Sequence, residues 1–474
     1  MKKLQVVGFI GISLVVFACQ SNPSGNQESA EQKEGDTSGS IRPWSENPAY
    51  WEYKGEPVLL LGATDNDNLF QHPNLKSHLD SLQAIGGNYI RNTMSDRDPG
   101  DLKAFATNEA GKYDLDLWHE VYWQQFDSLL HWTAQRDIIV QIEIWDRFDH
   151  SRQEWLTDPF HPANNINYSY EEARLDSLYP NHPGANEQPF FYTVPALDDN
   201  PLVLKYQQSF VRKLLDHTLG HDHVLYCIDN ETKGEDEWAI YWADFIKKEA
   251  GDKEIMLTQM WDDWDIKSDM HRRTLDHPER YDYIDMSQNS HNTGQLNWDN
   301  ARFIFDYIQS NPRPVNSTKI YGSETSPWTN REIDEQHAVE TFFRNIIGGF
   351  ASSRFHRPPA GLGLSASSID ALKALRKVEE KLKFWELSPR MDLLSEKEEN
   401  EAYCAAKEGE KYLVYFPQGG EVMLDLSSLT GNASLQWLSV TGAEWLSASE
   451  VSGGEAIQLR SPVDTGAIAV LVKE

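Results

Sequence analysis

The sequence predicts an α/β protein, a (β/α)8 TIM barrel followed by a small C-terminal antiparallel β-sandwich. Three observations predict it. Between residues 57 and 387, short apolar runs alternate with stretches of helical spacing, the pattern of a parallel sheet with crossover helices. The turn after the first run, Ala63-Thr64-Asp65-Asn66-Asp67-Asn68, lacks the glycines of a doubly wound nucleotide-binding sheet. After Ser388 the helical spacing stops and short strands with turns between them take over.

The barrel elements follow in order. Residues 57–62 read as the first strand, and 75–85 as a helix stopped by Gly86-Gly87. The second strand falls at 88–92 and its helix at 118–134. The third falls at 137–145 and its helix at 202–219. The fourth strand is 223–228 with helix 237–250, and the fifth is 255–260. The sixth is 283–287 with helix 300–310, the seventh 319–322 with helix 333–344, and the eighth 347–352 with helix 369–387. Eight strands over about 330 residues suit a closed barrel. The connection 146–201 is too long for a simple loop and reads either as a functional lid, which on a barrel would sit on the active face, or as a misassigned element. Beyond it, 401–406, 411–416, 421–426, 434–438 and 467–472 are the sandwich strands.

The N-terminus carries a different signal. Met1-Lys2-Lys3 precedes an apolar run, 4–18, and then Cys19, a secretory pattern too short to span a bilayer comfortably. Val16-Phe17-Ala18-Cys19 resembles a bacterial lipobox, so Cys19 is the expected lipid attachment site. The polar stretch after it cannot bury a core and reads as a tether. The expected organisation is 1–19 signal peptide, 20–43 tether, 44–387 barrel and 388–474 sandwich. That implies a lipid-anchored protein of the bacterial outer membrane, facing the cell surface or periplasm, and a monomer.

A net charge of -31 argues against nucleic acid and polyanionic partners, which such a field repels. The chain has three cysteines, with no metal-ligand spacing among them. Cys227 and Cys404 read as buried thiols. Asp65-Asn66-Asp67-Asn68 lacks the glycine and bidentate glutamate of a calcium loop. Neither a metal nor a cofactor is expected.

Barrel chemistry gathers where strands end. Those ends carry Asp65, Arg91, Glu143 with Trp145, Asn230 with Glu231, Trp261, Asn289 with His291, Glu324 with Trp328, and Arg354 with His356. One such residue could cap a helix, whereas a ring of them suggests a shared ligand. Sixteen tryptophans fit a sugar cleft or a large core equally well. Glu231 and Glu324, on strands four and seven, would face each other across the mouth, as the two carboxyl groups of glycoside hydrolysis must. The alternatives are a dipole-stabilised helix start for Glu231 and a solvated loop residue for Glu324.

Asn230-Glu231 and the Glu324 strand end resemble clan A glycoside hydrolases. The order of barrel and sandwich, with Tyr412 to Gly420 and Val422 to Leu426, is similar to apiosidase-related lipoprotein hydrolases of Bacteroidetes (the DUF4038 type), which carry a collagen-binding-like sandwich. This chain departs from them in having Gly62-Ala63-Thr64 where they carry Gly-Asp-Thr. The resemblance implies a retaining enzyme with Glu324 as nucleophile, Glu231 as acid/base and Asn230 on the sugar 2-hydroxyl. Glu231 must then hold its proton near neutrality, helped by a neighbouring anionic Glu324. Arg91 would orient Glu324 or sit in a structural ion pair, Trp145, Trp261 and Trp328 would stack on sugar or equally fill the core, and Asp65, Glu143, His291 and Arg354 complete the substrate-binding set. The rival reading is a non-catalytic glycan-binding surface protein on a barrel scaffold. A protein-binding adhesin is a third.

Overall fold

The computed structural model describes residues 39–327 and 332–474. Cys19 and Trp328 lie outside the described residues. Eight parallel strands make the barrel: β1 (Leu60–Ala63), β2 (Tyr89–Thr93), β3 (Ile139–Asp146), β4 (Val224–Asn230), β5 (Met256–Thr258), β6 (Ile284–Asp285), β7 (Val315–Ile320) and β8 (Ser352–Phe355). Their order is β5-β4-β3-β2-β1-β8-β7-β6. The circle is nearly closed, because β5 and β6 share no ladder. Asp282 spans that seam. Its N–H donates to the Leu257 carbonyl at 2.9 Å, and its carboxylate accepts from the Leu257 N–H at 3.0 Å.

Each strand is followed by a helix: α1 (Leu75–Ala84), α2 (Glu120–Ala134), α3 (Pro201–Thr218), α4 (Asp236–Ala250), α5 (Asp269–Leu275), α6 (Gly294–Tyr307), α7 (Glu335–Ile347) and α8 (Ala366–Glu379). Local chemistry sets their ends. Asn200 caps α3 by accepting from the Val203 N–H, and Pro201 supplies a preset φ. Asp236 and Glu237 open α4, and Lys247 and Lys248 close it, matching the helix dipole. The α3 stripe Val203, Gln207, Phe210, Val211, Leu214 is buried against the sheet. Each large apolar side chain so buried contributes about 1.5–3 kcal/mol.

Close approach dictates one residue. A Cβ on Gly62 would lie 1.8 Å from the Tyr89 carbonyl oxygen, so only glycine lets β1 pair with β2 there.

Several boundaries differ from expectation: α6 starts at Gly294 rather than 300, and α8 ends at Glu379 rather than 387. β7 begins at Val315 rather than 319, and β8 occupies Ser352–Phe355 rather than 347–352, a range that holds the end of α7 and its following turn. The short α5 has no counterpart in the sequence reading. The tether expected through residue 43 ends earlier, since Ile41 is buried and Arg42–Trp44 is a strand. It pairs with Asn47–Tyr53, which pairs with Glu56–Val58, to make an antiparallel floor. From that floor Trp51 reaches under the barrel, donating to Asn316 Oδ1 at 3.0 Å and meeting the Tyr283 ring edge-on.

The connection 146–201 is packed rather than loose. It holds helical turns Arg152–Trp155 and Tyr170–Ala173 and buries Trp155, Phe160, Phe190 and Phe191.

The C-terminal region is two antiparallel sheets. One has six strands, Ser388–Pro389, Tyr403–Lys407, Lys411–Phe416, Ala467–Lys473, Asn432–Ser439 and Glu444–Ser452. The other has Leu394–Ser395, Glu421–Asp425 and Ala456–Arg460. Along Lys411–Phe416 the faces alternate. Tyr412, Val414 and Phe416 enter the sandwich core, while Leu413 and Tyr415 join the barrel's own core. A sheet buried on both faces explains why these strands read as unbroken apolar runs. Cys227 and Cys404 are buried free thiols. Among the described residues, no helix is long and apolar enough to cross a membrane.

Candidate active site

The barrel interior is polar along its length. Above Trp51, Tyr89 donates to Gln141 Oε1 at 2.7 Å, and Thr318 donates to Asp285 Oδ2 at 2.5 Å. Next comes Arg91, wholly buried and spread over three acceptors. Its Nε lies 2.7 Å from Glu143 Oε2, its Nη1 donates to Asp67, and its Nη2 donates to Asn230 Oδ1 at 2.9 Å. Asn230 in turn donates to Asp146 Oδ2 at 2.8 Å and accepts from Lys319 Nζ. Asp67 also receives Arg357, with His356 Nδ1 at 3.8 Å and Arg97 at 3.7 Å. Burial alone would raise the Asp67 pKa, but the Arg91, Arg357 and Arg97 guanidinium groups around it outweigh that and hold it well below the ordinary range.

Glu231 tops this column at the C-terminal end of β4. Its backbone is left-handed, φ +48, a costly conformation for a non-glycine residue and one that clusters at functional sites. The turn is held from outside: the Thr232 N–H donates to the Met260 carbonyl at 3.0 Å, and the Asp262 N–H donates to the Thr232 carbonyl at 2.9 Å. The carboxylate accepts from Gln288 Nε2 at 3.0 Å and from the Tyr321 hydroxyl, and pairs with Lys319 Nζ at 3.0 Å. Its side chain is 16% exposed.

This environment corrects one expectation. Glu231 does not hold its proton. Burial pushes its pKa up, but the Lys319 ammonium and the Tyr321 and Lys319 hydrogen bonds push it further down, well below the ordinary range. A second carboxyl nearby, Asp262 just past β5, has its pKa raised first by burial and then by the charge of Glu231. Tyr321 is raised well above the usual phenol by burial and by Glu231. Its ring is held between two imidazoles, stacked on His291 at 4.5 Å and edge-on to His356 at 4.9 Å.

Of the residues singled out from sequence, Arg91, Glu143, Asn230 and Glu231 come together in this column. Arg91 orients Asn230, Glu143 and Asp67 rather than Glu324. Glu143 is fully buried beneath it. Arg354 lies deeper, donating to the Thr318 carbonyl at 2.6 Å and to Thr64. His291 reaches the mouth, stacked between Tyr321 and the exposed Trp264. Asp65 stands apart, 44% exposed and accepting from the Leu364 N–H at 2.8 Å.

Two tryptophans expected to stack on sugar do not offer a free face. Trp145 is buried among Phe190, Phe210, Trp238 and Trp242, because its side chain points away from the barrel axis. Trp261 is buried and donates to Thr274 Oγ1 at 2.7 Å. Glu324 is exposed on the turn after β7 and lines a groove with α7, α8 and the sandwich. Gly322, at φ +119, turns the chain away directly after Tyr321.

Residues not singled out from sequence supply much of the site: Asp67, Asp262, Gln288, Lys319, Tyr321 and Arg357. The signal for two of them was the lysine and tyrosine flanking Ile320 at the end of a largely polar strand. Among the described residues no cluster of three or more His, Cys, Asp or Glu is disposed to hold a metal. The arrangement offers a carboxylate held below its ordinary pKa and hydrogen-bonded to a phenol, with a second carboxyl of raised pKa just past the next strand.

No family model matches the chain, and no curated protein matches it by sequence. Solved structures do match in fold. One, described as a glycoside hydrolase, is 14% identical with a TM-score of 0.62, covering 92% of this chain and 98% of its own. A glycoside hydrolase family 5 protein from Bacteroides vulgatus ATCC 8482 is 14% identical with a TM-score of 0.61, covering 92% and 94%. A candidate glycoside hydrolase from the same organism is 11% identical with a TM-score of 0.59, covering 93% and 83%. At these identities the likeness is one of fold, and it extends over barrel and sandwich together.

Proposed function

We propose that the protein hydrolyses a glycosidic bond in a plant or algal polysaccharide or oligosaccharide with retention of configuration. The observation that carries the reading is Glu231, a strained, ionised carboxylate at the mouth of the barrel, following Asn230 and backed by Arg91 and Lys319. The fold likeness to glycoside hydrolases supports it. In the sequence reading Glu324 is the second carboxylate. Its carboxylate would have to reach within about 5 Å of Glu231 for a retaining pair, which requires the turn after β7 to fold back over the mouth. Acylation of Cys19 would hold the enzyme at the outer membrane, with a carbohydrate as its partner, and we read it as a monomer that binds no nucleic acid.

A panel of aryl glycosides and plant and algal polysaccharides tests this directly. The wild-type chain is expected to hydrolyse at least one member, and Glu231→Gln to lose about 10²–10⁴-fold in rate. A second reading, a barrel that binds glycan without cleaving it, draws on the complete set of partners around Glu231. Binding of a glycan without turnover, unchanged in Glu231→Gln, would select that reading.

A further inference from the structure

We propose that Tyr321, rather than a second carboxylate, attacks the anomeric carbon, with Glu231 as the base that takes its proton. This rests on reading the barrel mouth as a glycosidase centre. A nucleophile at this position has to sit at the end of β7 and face the end of β4. β7 ends at Ile320, so Tyr321 is the first residue beyond it, and its hydroxyl donates to the Glu231 carboxylate. Glu324 comes after the Gly322 turn and is exposed.

The couple has the form of an activated nucleophile: an attacking hydroxyl, a base in hydrogen-bond reach, and further groups that fix the base. Lys319 and Gln288 fix Glu231. The two imidazoles fix the Tyr321 ring. Tyrosine is a known substitute for the carboxylate nucleophile in glycoside cleavage.

The step balances without a co-reactant. The Tyr321 Oη–anomeric carbon bond forms as the glycosidic C–O bond breaks. The phenolic proton passes to Glu231, and the leaving oxygen takes a proton from Asp262. Water then attacks the same carbon and gives its proton to Asp262. The aryl–sugar bond breaks, and Tyr321 recovers its proton from Glu231. The net change is hydrolysis with retention.

The test uses the full chain and the 2-deoxy-2-fluoro analogue of whichever aryl glycoside the wild type hydrolyses. The expected result is one glycosyl group on Tyr321, assigned by peptide fragmentation and stable to neutral hydroxylamine, as an aryl glycoside is and a glycosyl ester is not. Tyr321→Phe is expected to take no label and to lose about a thousandfold in kcat/KM, with wild-type melting behaviour. A hydroxylamine-labile adduct on Glu324 or Glu231, an inverted product anomer, or a Tyr321→Phe variant keeping a tenth of the activity would each overturn the proposal while leaving the glycosidase reading intact. A wild-type chain that cleaves nothing in the panel overturns both. Should Tyr321→Phe fail to fold, the labelled residue in the wild type still decides.

Discussion

Lys319 is the cation on which the mouth depends, since its ammonium serves both Asn230 and Glu231 and is almost wholly buried. Lys319→Met strands a buried carboxylate, which costs about 3–5 kcal/mol. The expected result is a large drop in the urea midpoint, part of which Lys319→Met/Glu231→Gln recovers because the stranded charge is gone. A second ionisable residue works in the opposite sense. Burial raises the Asp149 carboxyl from 3.8 to about 7, even with Arg97 at 2.7 Å. Between those values the folded chain binds a proton that the unfolded chain has released, so this group's contribution falls as pH rises through that window. Glu231 and Asp67 are shifted the other way, and their stabilisation is lost only as pH falls below the ordinary carboxylate range. Between pH 4.5 and 7 the unfolding midpoint of Asp149→Asn, measured against wild type at each pH, should therefore gain on the wild type as pH rises.

Strand by strand, legibility followed what each strand faces. β4 opens with five apolar residues in a row and β3 carries Ile139, Val140, Ile142, Ile144 and Trp145 around Gln141 and Glu143, and their positions come out of the sequence within two residues. β7, Val-Asn-Ser-Thr-Lys-Ile, turns Asn316, Thr318 and Lys319 into a polar barrel interior, so a rule keyed to apolar runs misses its start. β8, Ser-Ser-Arg-Phe, fails for the same reason. The shift at β7 carried over to the site: with the strand placed late, Glu324 became its end and Lys319 and Tyr321 became filler. Asn230 and Arg91 were legible because they interrupt strongly apolar strands. Asp67 and Asp262 sit in polar loops, where a carboxylate carries no signal. At this scale Gly62→Ala is the sharpest test. The added methyl collides with the Tyr89 backbone, which cannot move without breaking the β1–β2 register. We expect a loss of at least ~2 kcal/mol by thermal unfolding, without any change in side-chain contacts at the mouth.

The barrel and the sandwich share a core, with Phe343 stacked on Tyr415 at 4.9 Å and Trp298 against Tyr403 at 4.8 Å. Ending the chain at Leu387 would expose that face of α6 and α7 to water. The expected outcome is a truncated protein recovered in the insoluble fraction. At the other end, Cys19→Ala should move the protein from the membrane to the soluble fraction with an unchanged melting curve. The seam between β5 and β6 sets how the whole barrel breathes. A closed ring of ladders has no free end, but this one is a strip whose two ends are buttoned by Asp282 and by the Thr258 hydroxyl, which donates to the Tyr283 carbonyl at 2.7 Å. Asp282 stands in for a missing strand, its carboxylate occupying the place of a backbone carbonyl. In heavy water the Leu257 amide should then trade its proton well before its neighbours on β3 and β4, and Asp282→Ala should hasten that exchange while sparing the far side of the ring. A barrel so fastened has a built-in direction of unzipping, and it starts on the flank where Asp262 leaves β5.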